Sequence, residues 1–290
     1  MDSIWNKVDR IAKKLAEKKE INQLNSSENM NKKQEVIEKE IYLPVTKINF
    51  IPVPNAILRS ALFGVVKKGT RKYEKNVLKT ALNNYTVKYT GEQLDQSDLD
   101  VWLECLQRCQ INPLGYTVKF SAYSFLRSIG RSTGKAQYKW LKNSLIRLAA
   151  NVVEISDGKY TYKGGLIFEQ YEDEETGENC LILNPKIVSC FSDTDWTGIT
   201  KEVRLKLMGK SLTQWLHAFY CSHAKPHPIK IVTLKTLCCS DVKNLFKFRQ
   251  MLKKSLNELA FSTGWYCEID STDKVIIRKK QKIQNNCNKK

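Results

Sequence analysis

The sequence predicts an α+β fold in which two winged-helix domains follow one another behind a flexible, helical and charged N-terminal arm. Three observations predict it. Residues 233–259 read as a short helix, a break near Ser240 and Asp241, and a longer helix. On that longer helix Leu245, Phe248, Leu252, Leu256 and Leu259 fall at the spacings of one apolar stripe. The segment KNSLIRL (142–148) is echoed by KKSLNEL (253–259) about 110 residues later, a period that suits a duplicated domain. Around both copies a helix, a short strand, two helices and strand-like segments recur, which is the order of a helix–turn–helix with a wing.

The arm covers residues 1–45. Ile4, Val8, Ile11 and Leu15 share one helical face, and the polar run NQLNSSENMNKKQEVIEKE separates them from the apolar stretch 41–53, where order begins. The first domain spans 46–193. Asn55 is placed to cap a short helix, Lys67, Lys68, Arg71, Lys72 and Lys75 form a basic loop, and Tyr85, Val87 and Tyr89 alternate as a strand. A helix over 93–110 buries Leu99, Trp102 and Leu106 until Asn112 and Pro113 end it. Strand 116–120 leads to Ser121, a cap for the next helix. A turn at 130–134 then opens a helix over 135–150 with Tyr138, Leu141, Leu145 and Leu148 as its stripe. Strands are expected at 152–155, 160–162, 166–170 and 180–183, then a short helix at 185–191 and a domain boundary within 192–198. The second domain spans 194–281, with a helix at 212–222, a strand at 229–232, Thr233 as a cap, the longer helix from Lys243, and a hairpin of 265–269 with 275–277. Residues 282–290 form a basic tail.

The formal net charge is +18, from 48 Lys and Arg against 30 Asp and Glu. A solvated surface needs no such excess, so a polyanionic partner is expected. The cations are spread through folded segments, which favours nucleic acid over an anionic membrane. No apolar run nears the roughly 20 residues of a bilayer span, and the polar N-terminus lacks a signal-peptide core, so a cytoplasmic protein is expected. The nine cysteines are uneven in spacing and sit in apolar patterns, the usage of reduced thiols acting as small hydrophobes. Cys221, His223, His227, Cys238 and Cys239 are ligand types without the paired spacing of a zinc site, so no metal is expected.

Candidate binding residues lie on the polar faces of the two longer helices: Lys139, Asn143 and Arg147 on the first, Lys243, Asn244, Lys247, Gln250 and Lys254 on the second. Lys and Arg neutralise phosphates, while Asn, Gln and Arg also bond base edges. Arg131, Ser132, Thr133 and Lys135, at the turn before the first helix, are placed to meet phosphates. GRSTGK (130–135) superficially suggests a nucleotide loop, but its glycines are one residue too close, no Ser or Thr follows the lysine, and a helix precedes it, so no cofactor is expected. Pro226 and Pro228 preclude a strand carrying His223 and His227, and the acidic run 172–175 ends at Thr176 and Gly177 as a hairpin tip, so no catalytic residue is assigned and no enzyme is expected.

Several stretches resemble the TrfA family of plasmid replication initiators: NAILRSALF (55–63), YTGEQLDQSDLDVWLECLQ (89–107), SLIRLAA with Arg147, and above all LTQWLHAFYCSHAKPHPIKIVTLKTLCCSD (212–241). The resemblance implies the Rep-type initiator architecture and binding of direct repeats (iterons) in double-stranded origin DNA. It also implies opening of an adjacent A+T-rich segment held as single strands, recruitment of the host replicative helicase and its loader, and inactive homodimers as in plasmid copy control. A plasmid- or nucleoid-associated location follows from it. Some relatives carry a Gln-Leu-x-Leu-Phe motif before the first domain; here the stretch reads EIYLPVTKINFIPVP, which puts a sliding-clamp contact in doubt. The alternative is a winged-helix transcription regulator on a palindromic operator, distinguished by whether direct repeats flank the gene. A nicking enzyme is the further rival.

Overall fold

A computed structural model describes residues 40–279 apart from Ile48, Lys68, Asn83, Asn84, Glu174, Thr176, Gly177, Ser192, Asp193 and Thr194. The apolar face of the arm, Lys68 of the basic loop, the tip at Thr176 and Gly177 and the basic tail lie outside the described residues.

Packing starts ahead of residue 46, because Leu43 is already buried in the first core and the Leu114 amide donates to the Ile41 carbonyl at 2.7 Å. Phe50–Pro54 (β1) runs into the single helical turn Asn55–Leu58 (α1) and then Phe63–Gly64 (β2). Asn55 does not cap that turn. It is itself the first helical residue and buried, its amide donating to Asp195 Oδ1 at 3.1 Å while Thr197 Oγ1 donates to Asn55 Oδ1 at 2.6 Å. A distant segment has taken the side chain that local pattern assigned to a cap.

Tyr73–Lys79 (β3), which includes Lys75 of the expected basic loop, pairs antiparallel with Thr86–Glu92 (β4). Leu94–Asp95 (β5) lies parallel to β2 and leads into Gln96–Cys109 (α2). The start of α2 is set by a capping box: Asp95 Oδ1 accepts from the Ser97 and Asp98 amides at 2.8 and 3.1 Å, and Asp98 Oδ2 accepts from the Asp95 amide at 3.1 Å. Val118–Ser121 (β6) precedes Ala122–Ser128 (α3), whose Ser121 cap accepts from the Ser124 amide at 3.1 Å. Lys135–Ala149 (α4), Val152–Ser156 (β7), Thr161–Gly164 (β8), Glu169–Glu172 (β9) and Glu178–Ile182 (β10) follow.

The hairpin next to α4 is not a wing. β7 and β8 extend β3 and β4 into a four-stranded antiparallel sheet ordered β3-β4-β7-β8, while β9 and β10 pair with β6 in the order β6-β10-β9. The alternation explains the first sheet. Val87 faces Ile155, which faces Tyr162, and Tyr89 faces Val153, so all five buried side chains lie on one face. Leu166 and Ile167, expected in a strand, are fully buried in the connection before β9 instead.

After a 3₁₀ turn at Pro185–Cys190, Trp196–Thr200 (β11) pairs along its whole length with β1. The segment expected to open the second domain at 194 is therefore a strand that completes a sheet of the first lobe. Lys201–Lys206 (α5), Ser211–Cys221 (α6), Ile229–Lys230 (β12), Ile231–Leu237 (α7), Leu245–Thr263 (α8), Tyr266–Ile269 (β13) and Lys274–Arg278 (β14) complete the chain. Thr233 lies inside the first turn of α7 and does not cap it. The break before α8 is longer than a tight turn, with Cys239 at φ 53° and Lys243 still outside the helix. Asn244 is the cap, its Oδ1 accepting from the Phe246 and Lys247 amides at 2.8 and 3.3 Å, and Gly264 at φ 70° closes the helix in the left-handed conformation.

One order of elements thus occurs twice: α2, β6, α3, α4, β9, β10 and α6, β12, α7, α8, β13, β14. In both three-stranded sheets the last strand lies between the other two. Each set encloses its own apolar core, the first around Trp102, Leu126 and Leu145, the second around Trp215, Phe248 and Leu252.

The second core also holds His217, whose Nδ1 has no hydrogen-bond partner and whose ring stacks on Trp265 at 5.9 Å. Burial, with the Arg204 and Lys279 charges adding to it, lowers its pKa from 6.5 to about 3. The unfolded chain therefore protonates this ring before the folded chain does. Its contribution is complete above about pH 6.5 and is lost on acidification at up to about 1.4 kcal/mol per pH unit. Urea unfolding at stepped pH should show this slope, and its persistence in His217→Gln would assign it to another group.

Candidate nucleic-acid interface

In α4, Leu141, Ser144, Leu145 and Leu148 are buried, and at 3.6 residues per turn the positions opposite them are Lys139 and Asn143, both exposed. In α8, Phe248, Leu252, Ser255, Leu256 and Leu259 are buried and Gln250 falls opposite. Phe246 and Asn257 flank Gln250 on one side, Lys247 and Lys254 on the other, all of them exposed. Both helices occupy the same place in the repeated element order, so the two faces are equivalent surfaces.

The equivalence extends to how each helix is held. Asp98, the third residue of α2, is fully buried; its Oδ1 accepts from Ser144 Oγ at 2.6 Å and Arg147 Nη2 at 2.9 Å, and its Oδ2 from Arg71 Nη1 at 2.8 Å. Thr213, the third residue of α6, donates from Oγ1 to Glu258 Oε2 at 2.8 Å. Arg147 and Glu258 are matched positions of the KNSLIRL and KKSLNEL segments. Each longer helix is thus tied to the first helix of its lobe at this matched position, by a cation in the first lobe and an anion in the second, with Ser144 adding to the tie in the first. Contacts with the strands that follow add to this: Lys142 Nζ bonds Glu172 Oε2 of β9 at 2.8 Å, and Arg249 forms an ion pair with Asp273 at the β13–β14 turn.

Of the residues expected to meet DNA, Lys135, Lys139, Asn143, Lys247, Gln250 and Lys254 are brought onto the two outward faces. Ser132 is exposed and Thr133 half-buried in the preceding turn. Lys243 and Asn244 precede α8, and Asn244 spends its carbonyl on the cap. Arg131 stacks its guanidinium 3.5 Å above the Trp140 ring centre and donates to Gln137 Oε1 at 3.1 Å; burial lowers its pKa against the pull of Asp100. Arg147 departs furthest from expectation. Its side chain is 11% exposed and engaged by Asp98, with Glu92 at 3.7 Å, so its charge is directed at α2 and away from the Lys139–Asn143 face. Phe246, Lys253 and Asn257 were not anticipated, although their spacing with Gln250 along one helical row was a legible signal.

Among the described residues no group of three His, Cys, Asp or Glu side chains is arranged to hold a metal ion. His217 Nε2 lies 3.4 Å from Cys221 Sγ, and His223 Nδ1 lies 2.8 Å from the Phe219 carbonyl. Among the same residues no helix is long and apolar enough to cross a membrane.

A family model described as TrfA protein matches residues 6–276. The plasmid replication initiator protein TrfA of Escherichia coli is 24% identical over 215 residues, which cover 71% of this chain and 56% of that protein. The chain therefore spans about half the length of this relative. Among solved structures, domains 2 and 3 of RctB superpose with a TM-score of 0.55 at 10% identity, covering 77% of this chain and 96% of that one. A second structure of the same RctB domains gives 0.50 at 11% identity over 74% and 93%. The likeness to these structures is one of fold: mixed helix and sheet in the same arrangement.

Proposed function

The chain belongs to the TrfA protein family, and on that premise we propose that it is a plasmid replication initiator that binds direct repeats in its origin through two tandem winged helices. The observation that carries this reading is the pair of equivalent outward faces, Lys139 with Asn143 and Gln250 with Lys247 and Lys254, presented by helices at the same point of a repeated element order. A helix that follows a shorter one in such a unit lies in a major groove, and two on one chain reach successive grooves, about 10 to 10.5 base pairs apart. The lysines neutralise phosphates while Gln250 and Asn143 bond base edges. The strand pairs β9–β10 and β13–β14 serve as wings on the flanking backbone.

Binding bends the DNA, and the energy of binding goes in part into opening an adjacent A+T-rich segment. Recruitment of the host helicase and its loader, and storage as an inactive homodimer in the cytoplasm, complete the proposed role. It includes no catalytic step: supercoiled plasmid incubated with the protein and magnesium should stay closed, and open circles would overturn that part.

Lys247→Ala or Gln250→Ala should weaken binding to a repeat by about 1–3 kcal/mol. If Lys247 meets a phosphate, its loss is uniform across sequences and the salt slope falls by about 1; if Gln250 reads a base, specificity relaxes at that position. Footprinting on the native origin with gel shifts across a series of salt concentrations checks both. Unchanged affinity of both variants, or protection without repeated sites, would overturn the reading.

A further inference from the structure

Resting on the DNA-binding reading above, we propose that Phe246 reads the 5-methyl group of a thymine in the major groove, so that the repeat carries thymine where this ring lands. Phe246 is the second residue of the 19-residue helix α8 and is 67% exposed. Phe248, two positions on, already fills the core, so the Phe246 ring contributes nothing to packing there. Leu245 and Val232, 44% and 52% exposed, stand beside it and line one shallow notch with it. Arg249, on the wall of that notch, is paired with Asp273, and Lys230 and Thr272 make its polar rim around the apolar floor of Ile231, Val232, Leu245 and Phe246. Around the ring the surface is cationic and polar, with Lys243, Lys247, Gln250 and Lys254 exposed.

An apolar group on the outer face of a cationic helix identifies its counterpart by chemistry. The cations draw the face onto a polyanion, and residues in the first turns of such a helix reach base edges. The major groove presents donors, acceptors and a single apolar group, the thymine methyl, for which phenylalanine is a suitable contact. Gln250, one turn along the same row, would bond the neighbouring base edge and set the register of the ring.

The test uses the full chain and the duplex it selects from a random library, with each thymine replaced in turn by deoxyuridine, which lacks only the methyl. The wild-type protein should lose about fourfold in affinity at one thymine, the ~0.8 kcal/mol of one buried methyl. Phe246→Ala should bind the thymine duplex that much more weakly and show no further loss with deoxyuridine there. Equal sensitivity of variant and wild type at every position overturns the proposal. So does unchanged binding by Phe246→Ala, an outcome that leaves the ring to a protein partner. Because Phe246 is exposed, an unchanged melting temperature distinguishes contact from misfolding. Failure of the DNA reading itself looks different: the wild-type protein selects no sequence, and Lys247→Ala and Gln250→Ala bind as it does.

Discussion

Replacing Asp98 with alanine should destabilise the first lobe by about 3–5 kcal/mol, the range for breaking a buried ion pair from one side. Its carboxylate is fully buried and receives Arg71, Arg147, Ser144 and the Asp95 amide. Without it Arg71 and Arg147, whose side chains are 16% and 11% exposed, lose the carboxylate they share, keeping only Asp95 for the one and Glu92 at 3.7 Å for the other. The capping box contributes only about 1 kcal/mol of this. Urea midpoints at constant slope give the loss, and a cost no larger than that of a cap would show that the ion cluster adds nothing. Asp98→Asn keeps the shape and some of the hydrogen bonds, so it should fall between. Because Ser144 and Arg147 belong to α4, the same substitution should weaken the proposed origin binding even when protein below its midpoint is compared.

Arg204→Ala should cost a similar amount, about 3–5 kcal/mol, and should also change how the protein melts. The Arg204 side chain is 4% exposed. Its Nε donates to Asp100 Oδ1 at 2.8 Å and its Nη1 to Gln96 Oε1 at 2.9 Å and the Gln214 carbonyl at 3.0 Å. It therefore joins α2 of the first core to α6 of the second. Lys201 Nζ to Glu104 Oε2 at 2.7 Å and Arg59 to Ser222 span the same division. Apolar contacts cross this division too, Ala218 in the first core and Val65 and Leu82 against the second, but the join should loosen when its central buried charge is removed. Calorimetry should resolve one transition in the wild-type protein and two in the variant; a single, slightly lowered transition would overturn this. Burial already raises the Asp100 pKa, so once its partner is gone the carboxyl takes up a proton more readily and the deficit should narrow as the pH falls.

Much of the fold was legible because helix periodicity is a local property. The stripe of α4, that of α8 from Phe248 onward, the Ser121 cap and the matched KNSLIRL and KKSLNEL segments stand where spacing puts them, while Leu245, expected to head the α8 stripe, is 44% exposed at the helix start. The misplacements share one cause. Asn55 and Thr233 are competent caps by residue type, but Asn55 is bonded to Asp195 and Thr197, and α7 begins two residues ahead of Thr233 because Ile231 is buried in the second core. Arg147 looked like a phosphate contact because it follows Asn143 by four residues. What redirects it is Asp98, whose partnership spans 49 residues of sequence.

The sequence by itself determined the repeat, the two apolar stripes, the excess of positive charge and the type of residue each helix shows to solvent, since these follow from local spacing and composition. Only the tertiary structure decided which strands pair beside each longer helix, that β11 closes the first lobe, and which cations remain outward. Strand partners and ion pairs are chosen by burial and by charges distant in the chain, and no local pattern carries them.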